Sequence, residues 1–210
     1  MLCPAYRIDW KTNMVTLPEV AEQEEKARIP AGNIIAENIS SEDYLEHYAA
    51  HFCEWVEGYV IKMSPIHVKH FIITDYLARL FHPYLRVTKV GVYRAAPFVM
   101  EMPSGKKREP DLQTILKENY DRLKPTLVAG AADICIEVMS PGTEAVDRGD
   151  KFTEYEKAGV CEYWMLDPMR EESLFYRLNE NGIFMPQRPD ANGVYRTLLL
   201  PGFALHVPTL

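Results

Sequence analysis

Ala132-Asp133-Ile134-Cys135-Ile136-Glu137-Val138-Met139 is an apolar run with two acids at alternate positions. Side chains alternate along a strand, so Asp133, Cys135, Glu137 and Met139 share one face. Ile134, Ile136 and Val138 share the other. An ionised glutamate in such a strand is costly to bury without a partner or a metal. Upstream, Pro110 sets an extended entry for Asp111, which opens a second apolar run to Leu116. If the two strands are neighbours, both carboxylates converge at one end of the sheet. Downstream, Ser140-Pro141-Gly142-Thr143 turns the chain back, and Lys151 lies one turn into a helical stretch, Asp147 to Ala158.

Two carboxylates on neighbouring strands and a nearby ammonium are the minimum set for a divalent-metal site that hydrolyses phosphodiesters. Carboxylate oxygens hold Mg²⁺, which acidifies a bound water and stabilises charge on phosphoryl oxygens. A fixed lysine orients that water or offsets the developing charge. Such sites often carry the lysine two residues after the second acid, where this chain has Met139. Spacing alone leaves a plainer reading open. In it Asp111 is a turn residue, Glu137 caps a sheet edge or pairs with Arg148, and Lys151 is a solvated helix charge.

The flanking sequence supplies the rest of an α/β domain with a mixed central sheet. Ser40 or Ser41 offers an N-cap for a short helix carrying Tyr44, Leu45 and Tyr48. Trp55 to Met63 reads as strand with a tight turn or bulge at Glu57-Gly58. Pro65 suits a helix start, and Val68, Phe71, Ile72, Leu77, Leu80 and Phe81 follow at near-helical spacing, with a stop at His82-Pro83. Val87 to Tyr93 and Pro97 to Met102 read as strands, Gly159 as a helix C-cap, and Glu162 to Leu166 as a buried strand holding Trp164. Leu174 to Arg177 and Gly182 to Pro186 form a hairpin, and a last strand runs from Tyr195 to Leu200. Residues 1–38 read as an N-terminal arm and 39–210 as the domain.

At 210 residues, 47% apolar and 25% charged, the chain is long enough for a real core. A net charge of -7 means that nucleic-acid affinity has to come from a local basic patch. Lys106-Lys107-Arg108, beside Pro110-Asp111, is the candidate for a DNA-backbone contact, with a solvated turn as the alternative. Cys3, Cys53, Cys135 and Cys161 form no C-x-x-C pair, which argues against a zinc or disulfide framework. His47 and His51 share a helix face but lack a third ligand and read as surface residues. No stretch approaches the ~20 apolar residues that span a bilayer, and no signal-peptide pattern is present, so the expected location is cytoplasmic.

Three blocks together resemble a known family. The first is Cys53-Glu54-Trp55-Val56-Glu57-Gly58-Tyr59-Val60-Ile61-Lys62-Met63-Ser64-Pro65 with His67, and the second is Glu109-Pro110-Asp111-Leu112. The third runs from Asp133 through Ser140-Pro141-Gly142-Thr143 and Asp147-Arg148-Gly149-Asp150-Lys151 to Tyr155, Glu162-Tyr163-Trp164 and Asp167-Pro168. The chain resembles, over roughly residues 40 to 205, the Uma-two family of restriction-endonuclease-like proteins in the PD-(D/E)XK nuclease superfamily.

That resemblance implies a restriction-endonuclease-like core of αβββαβ type, a mixed sheet flanked by helices, with extra N-terminal and C-terminal β elements. It implies a Mg²⁺- or Mn²⁺-dependent endonuclease acting on DNA. Asp111 and Glu137 become metal ligands with the Val138 carbonyl as a further one, Glu54 an acid near the metal, and His67 a phosphate or metal-shell contact. The lysine role passes to Lys151 on the following helix. The rival expectation is a catalytically weak or inactive nuclease-fold protein that binds nucleic acid or a protein partner. A homodimer built on the 161–166 strand and the C-terminal hairpin would suit double-strand cutting.

Overall fold

The Ile134–Val138 run is a strand in the interior of a six-stranded mixed sheet. The computed structural model describes residues 34–63, 67–140 and 144–210, together with two short strands, Arg7–Asp9 and Met14–Thr16. From one edge the sheet runs Phe184–Gln187, Glu172–Leu178, Glu162–Asp167, Ile134–Val138, Leu112–Leu116 and Gly91–Ala95. Ile134–Val138 and Glu162–Asp167 are parallel, and the other neighbours are antiparallel. A parallel pair needs a crossover. Helix Glu144–Val146, a π-type turn Asp147–Lys151 and helix Phe152–Ala158 provide it.

With helix Val68–Thr88 ahead of the sheet, the order helix, three strands, helix, strand is the expected αβββαβ core. The central strand is buried on both faces, which explains why its sequence is almost continuously apolar. Ile134, Ile136 and Val138 pack with Ile73, Leu77, Phe81 and Leu85, the four-residue stripe of the long helix. On the other face, Cys135 and Met139 pack with Tyr155, Val160, Tyr163 and Met165. Trp164 is fully buried with its ring edge-on to Phe81, Phe175 and Tyr195. Each large apolar side chain buried this way stabilises the fold by about 1.5–3 kcal/mol.

Several boundaries differ from the sequence reading, among them the strand read from Val87 to Tyr93, which is Gly91–Ala95. The long helix continues through Pro83 to Thr88, with Lys89 as a left-handed cap whose N–H reaches Leu85 O at 2.9 Å. Pro83 costs one helical hydrogen bond, but Phe81 and Leu85 on either side of it both bury against the sheet. At its other end the helix is capped by His67, and Pro65 lies outside the described residues. The strand read from Tyr195 to Leu200 is Val194–Arg196, paired with a further strand, Ala204–His206, and only Leu200 of the leucine run 198–200 enters the core fully.

A second sheet, ordered Leu127–Ala129, Val99–Glu101, Lys107–Arg108, Cys53–Val56, Tyr59–Lys62 and Ile34–Ala36, lies beside the first in the chain's path. Glu57 and Gly58 both have positive φ, at 51° and 87°, so the expected turn is a two-residue hairpin loop of the primed type. Ser40 caps helix Ser41–His47 by accepting from the Asp43 N–H at 3.0 Å. Ile34–Ala36, from the stretch read as an arm, is an edge strand of this sheet. Of residues 1–33, only the 7–9 and 14–16 hairpin is described.

Strand Glu162–Asp167 is buried along its whole length between two neighbours, so a subunit contact cannot use it. Among the described residues no helix is long and apolar enough to cross a membrane. The feature that matters most for chemistry is a crossing point. Residues 108–111 carry the chain from the second sheet into the first, and Asp111 stands where it arrives.

Candidate active site

Register alone brings the two acids together. Ile136 pairs with Leu112 in the antiparallel ladder, and continuing by one residue sets Glu137 opposite Asp111. Directly opposed residues of such a ladder have Cβ atoms about 5 Å apart on one face. Asp111 Oδ2 accepts from the Val138 N–H at 2.7 Å, and its Oδ1 is 3.0 Å from His70 Nε2. Asp111 remains partly open to solvent, whereas Glu137 is only 3% exposed.

The crossover helix completes the site from above the sheet. Asp147, Lys151 and Tyr155 recur every four residues, so they share one face. All three are buried. The π-type turn spans the first two, a wider winding often found at functional sites. Lys151 Nζ lies 3.1 Å from Glu137 Oε1, 3.2 Å from Asp147 Oδ1 and 3.3 Å from Glu54 Oε1. Tyr155 Oη donates to Glu137 Oε1 at 2.7 Å.

The second sheet contributes the far side. Glu54, on strand Cys53–Val56, accepts from Arg108 Nη1 at 2.8 Å and from the Glu109 N–H at 3.3 Å. Arg108 also forks onto Glu154, with Nε at 2.9 Å and Nη2 at 3.2 Å. Lys106 reaches Glu154 and Glu57, each at 3.1 Å. Lys151 is thus held through Glu54, Arg108 and Glu154 in one continuous polar network.

Burial pushes the Glu137 carboxyl well above the usual carboxylate range. Lys151 opposes the shift, while Asp147, Asp111 and Glu54 reinforce it. For Lys151, burial pulls the ammonium down, but Glu137, Glu54 and Asp147 outweigh it and hold the group charged. For Glu54, burial acts upward, yet Lys151 and Arg108 prevail and keep it below its ordinary value. Glu109 is raised to about 8 by burial and by Glu54. Tyr44 Oη lies 3.3 Å from Glu109 Oε1, and Glu109 Oε2 has no hydrogen-bond partner among the described residues.

With every acid ionised, Glu54, Asp111, Glu137, Asp147 and Glu154 outnumber the cations Lys106, Arg108 and Lys151. A buried surplus of negative charge is a place for an added cation. Its oxygen donors are of the hard type that suits Mg²⁺ or Mn²⁺. Among the described residues, however, no group of three or more His, Cys, Asp or Glu side chains is arranged as a ligand set. The pair Asp111 and Glu137, with the Val138 carbonyl, is a smaller set that leaves positions for water.

Of the four residues expected to carry chemistry, Glu54, Glu137 and Lys151 meet in this network, and Asp111 lies beside it, held by His70 and the Val138 N–H. Lys151 is 2% exposed, so the reading of a solvated helix charge fails, and Arg148 pairs with Glu144, Asp167 and Glu172 rather than Glu137. His67 is used as the helix N-cap, its Nδ1 accepting from the Lys69 N–H at 3.2 Å. His70, less than one turn later, is the ring that touches Asp111. The basic run 106–108 is not a surface patch. Lys107 is buried against Glu101 and Ser41 Oγ, each at 2.6 Å, and Arg108 is buried between Glu54 and Glu154. Crossing between sheets turns these cations inward, where carboxylates neutralise them. Sequence reasoning passed over His70, Asp147, Glu154 and the Tyr155 hydroxyl. The four-residue spacing of Asp147, Lys151 and Tyr155 was the available signal.

A crystal structure titled a "putative nuclease belonging to DUF820", from Anabaena variabilis ATCC 29413, superposes with a TM-score of 0.68. It is 17% identical, over 81% of this chain and 96% of that one, a likeness of fold. No curated protein matches the chain. The model of the Uma2 family, described as "Putative restriction endonuclease", matches residues 41–208. The chain, with its restriction-endonuclease-like core, therefore belongs to the Uma2 family.

Proposed function

We propose that this protein is a metal-dependent endonuclease that hydrolyses DNA phosphodiester bonds. The observation that carries the reading is the meeting of Asp111 and Glu137 across adjoining strands, with the Lys151 ammonium 3.1 Å from the Glu137 carboxylate. Asp111, Glu137 and the Val138 carbonyl would hold Mg²⁺ or Mn²⁺, which polarises a phosphoryl oxygen and acidifies a bound water.

The residues themselves divide the remaining work. His70 and the Val138 N–H orient Asp111, so its carboxylate keeps one rotamer at the sheet end. The Tyr155 hydroxyl does the same for Glu137. Lys151, kept charged by its three acidic neighbours, is the donor that orients the attacking water and offsets charge on the phosphate. Glu54 and Arg108 hold that ammonium from behind. Elements from two sheets, the long helix and the crossover helix have to converge for this, and rigid elements place such groups better than loops do.

One observation favours the catalytically weak alternative. The Lys151 ammonium is already within 3.3 Å of three carboxylates, which neutralises it within the fold. Calorimetric titration with Mn²⁺, combined with cleavage assays on single-stranded, linear duplex and supercoiled DNA, separates the two. Metal-dependent cleavage that disappears in Asp111→Asn and Glu137→Gln supports the enzyme. Metal binding with no cleavage of any form favours the weak relative, and full activity in both variants sinks the site.

A further inference from the structure

Four cations that form no ion pair among the described residues line one groove. A groove of about 490 Å³ lies between the last turn of helix Val68–Thr88 and the edge strand Gly91–Ala95. It is lined by Arg86, Lys89, Arg94 and Lys117 and by the rings of Tyr93 and Tyr120, with no carboxylate in its lining. Among the described residues none of these four cations forms an ion pair, in contrast to Lys106, Lys107, Arg108, Arg148 and Lys151. Arg86, Lys89, Lys117 and Tyr120 are exposed. In a chain of net charge -7, four uncompensated cations in a concave surface make a local positive potential that selects an anionic partner.

The position of the groove narrows the partner. Arg94 pairs in register with Gln113, two residues from Asp111, and Gly91 pairs with Leu116, beside Lys117. Six residue steps separate Asp111 from Lys117, roughly 20 Å at ~3.3 Å per residue. The groove therefore runs along the edge strand from Lys117 toward Arg94, whose guanidinium donates to Tyr93 O at 2.9 Å and lies over the Phe98 ring. A repeating polyanion matches such a groove better than one small anion does. Aromatic faces among the cations add a stacking surface, which is usable only by bases that are not paired.

We propose that this groove binds single-stranded nucleic acid, its phosphates along Arg86, Lys89, Arg94 and Lys117 and an unpaired base against Tyr120. Delivery of that strand to Asp111 and Glu137 rests on the nuclease reading above, whereas the binding itself does not. The edge strand would then be covered by polyanion rather than by another strand, and its cations would discourage strand-to-strand association.

The test is fluorescence anisotropy of a labelled twelve-nucleotide oligo-dT with the full chain in EDTA, so that no cleavage step enters. Arg86→Ala with Lys117→Ala should weaken binding at least tenfold. For every phosphate that a variant no longer neutralises, the slope of log affinity against log salt should fall by about 0.7. Arg188→Ala, an exposed arginine elsewhere, should stay within twofold of the parent. Tyr120→Ala should weaken the oligo-dT complex several-fold and leave binding of a duplex of equal length unchanged. Equal losses in the double variant and Arg188→Ala overturn the proposal, as does a folded parent that fails to bind oligo-dT at 50 mM salt. Duplex binding as tight as oligo-dT, with no effect of Tyr120→Ala, also overturns it. Asp111→Asn should bind oligo-dT like the parent, so an inactive site and an empty groove are told apart.

Discussion

Two buried glutamates on adjacent strands, Glu137 and Glu162, meet opposite fates. Glu162 is fully buried and accepts from Arg177 Nε at 3.0 Å, Trp164 Nε1 at 3.0 Å and Tyr195 Oη at 2.8 Å. One carboxylate faces one guanidinium, and two neutral donors fill the remaining lone pairs. Glu137 has a tyrosine and a lysine, but it shares that lysine with Glu54 and Asp147 and faces Asp111 as well. A satisfied carboxylate is a structural part, because its burial cost is offset within the fold. A carboxylate in surplus leaves the fold with an electrostatic demand that a ligand can meet. The difference marks Glu162 as scaffold and Glu137 as the candidate for chemistry.

The largest effect that breaks the comparison is on activity. Glu137→Gln should lower metal-dependent cleavage on the order of 10³-fold or more, with stability unchanged or raised, since it relieves like-charge repulsion. Glu162→Gln should do the reverse, keeping most activity while lowering stability by about 2 kcal/mol in chemical denaturation, because Arg177 loses its counter-charge. Equal activity losses in the two variants would erase the distinction between them.

Removing the shared cation comes next. Lys151→Met should destabilise the fold by about 3 kcal/mol, since Glu54, Glu137 and Asp147 would then face one another unpaired. The surplus also predicts linkage. Millimolar Mn²⁺ should raise the melting temperature of the parent, EDTA should reverse the rise, and Glu137→Gln should show none.

Smaller effects sharpen the picture. Tyr155→Phe removes one buried hydrogen bond to Glu137 and should cost about 1 kcal/mol, read from urea unfolding. The Glu54 carboxyl is held below its ordinary value of 4.5, so its pairing stabilises the fold above that pH. That stabilisation is lost as pH falls through the folded value. Glu54→Gln should therefore flatten the acid limb of stability below about pH 4.5, relative to the parent.

Much of this was legible in the chain. Alternation in 132–139 and the strand opened by Pro110 named the acids and their strands, because period-2 patterning is a local property. The resemblance of the surrounding blocks pointed to Lys151, and the fold places its ammonium 3.1 Å from Glu137. Pro83 misled, because local propensity forbids a helix there and tertiary burial of Leu85 overrides it. The run 106–108 misled for a related reason. Three adjacent cations look like a surface patch until the passage between sheets buries two of them. The unpaired cations Arg86, Lys89, Arg94 and Lys117 are scattered over 32 positions and carry no motif, so only folding could gather them.

By itself, the sequence determined the three central strands around 112–116, 134–138 and 162–167, the faces they bury and the acids near their ends, since these follow from side-chain type and local period. Only the tertiary structure decided that His70 rather than His67 meets Asp111, and that Lys151 is shared by three carboxylates. It alone decided that free positive charge lies along the edge strand instead of beside Pro110. Each of those outcomes depends on distances between residues far apart in the chain. Those distances are set by ladder register and helix docking, and no local pattern encodes them.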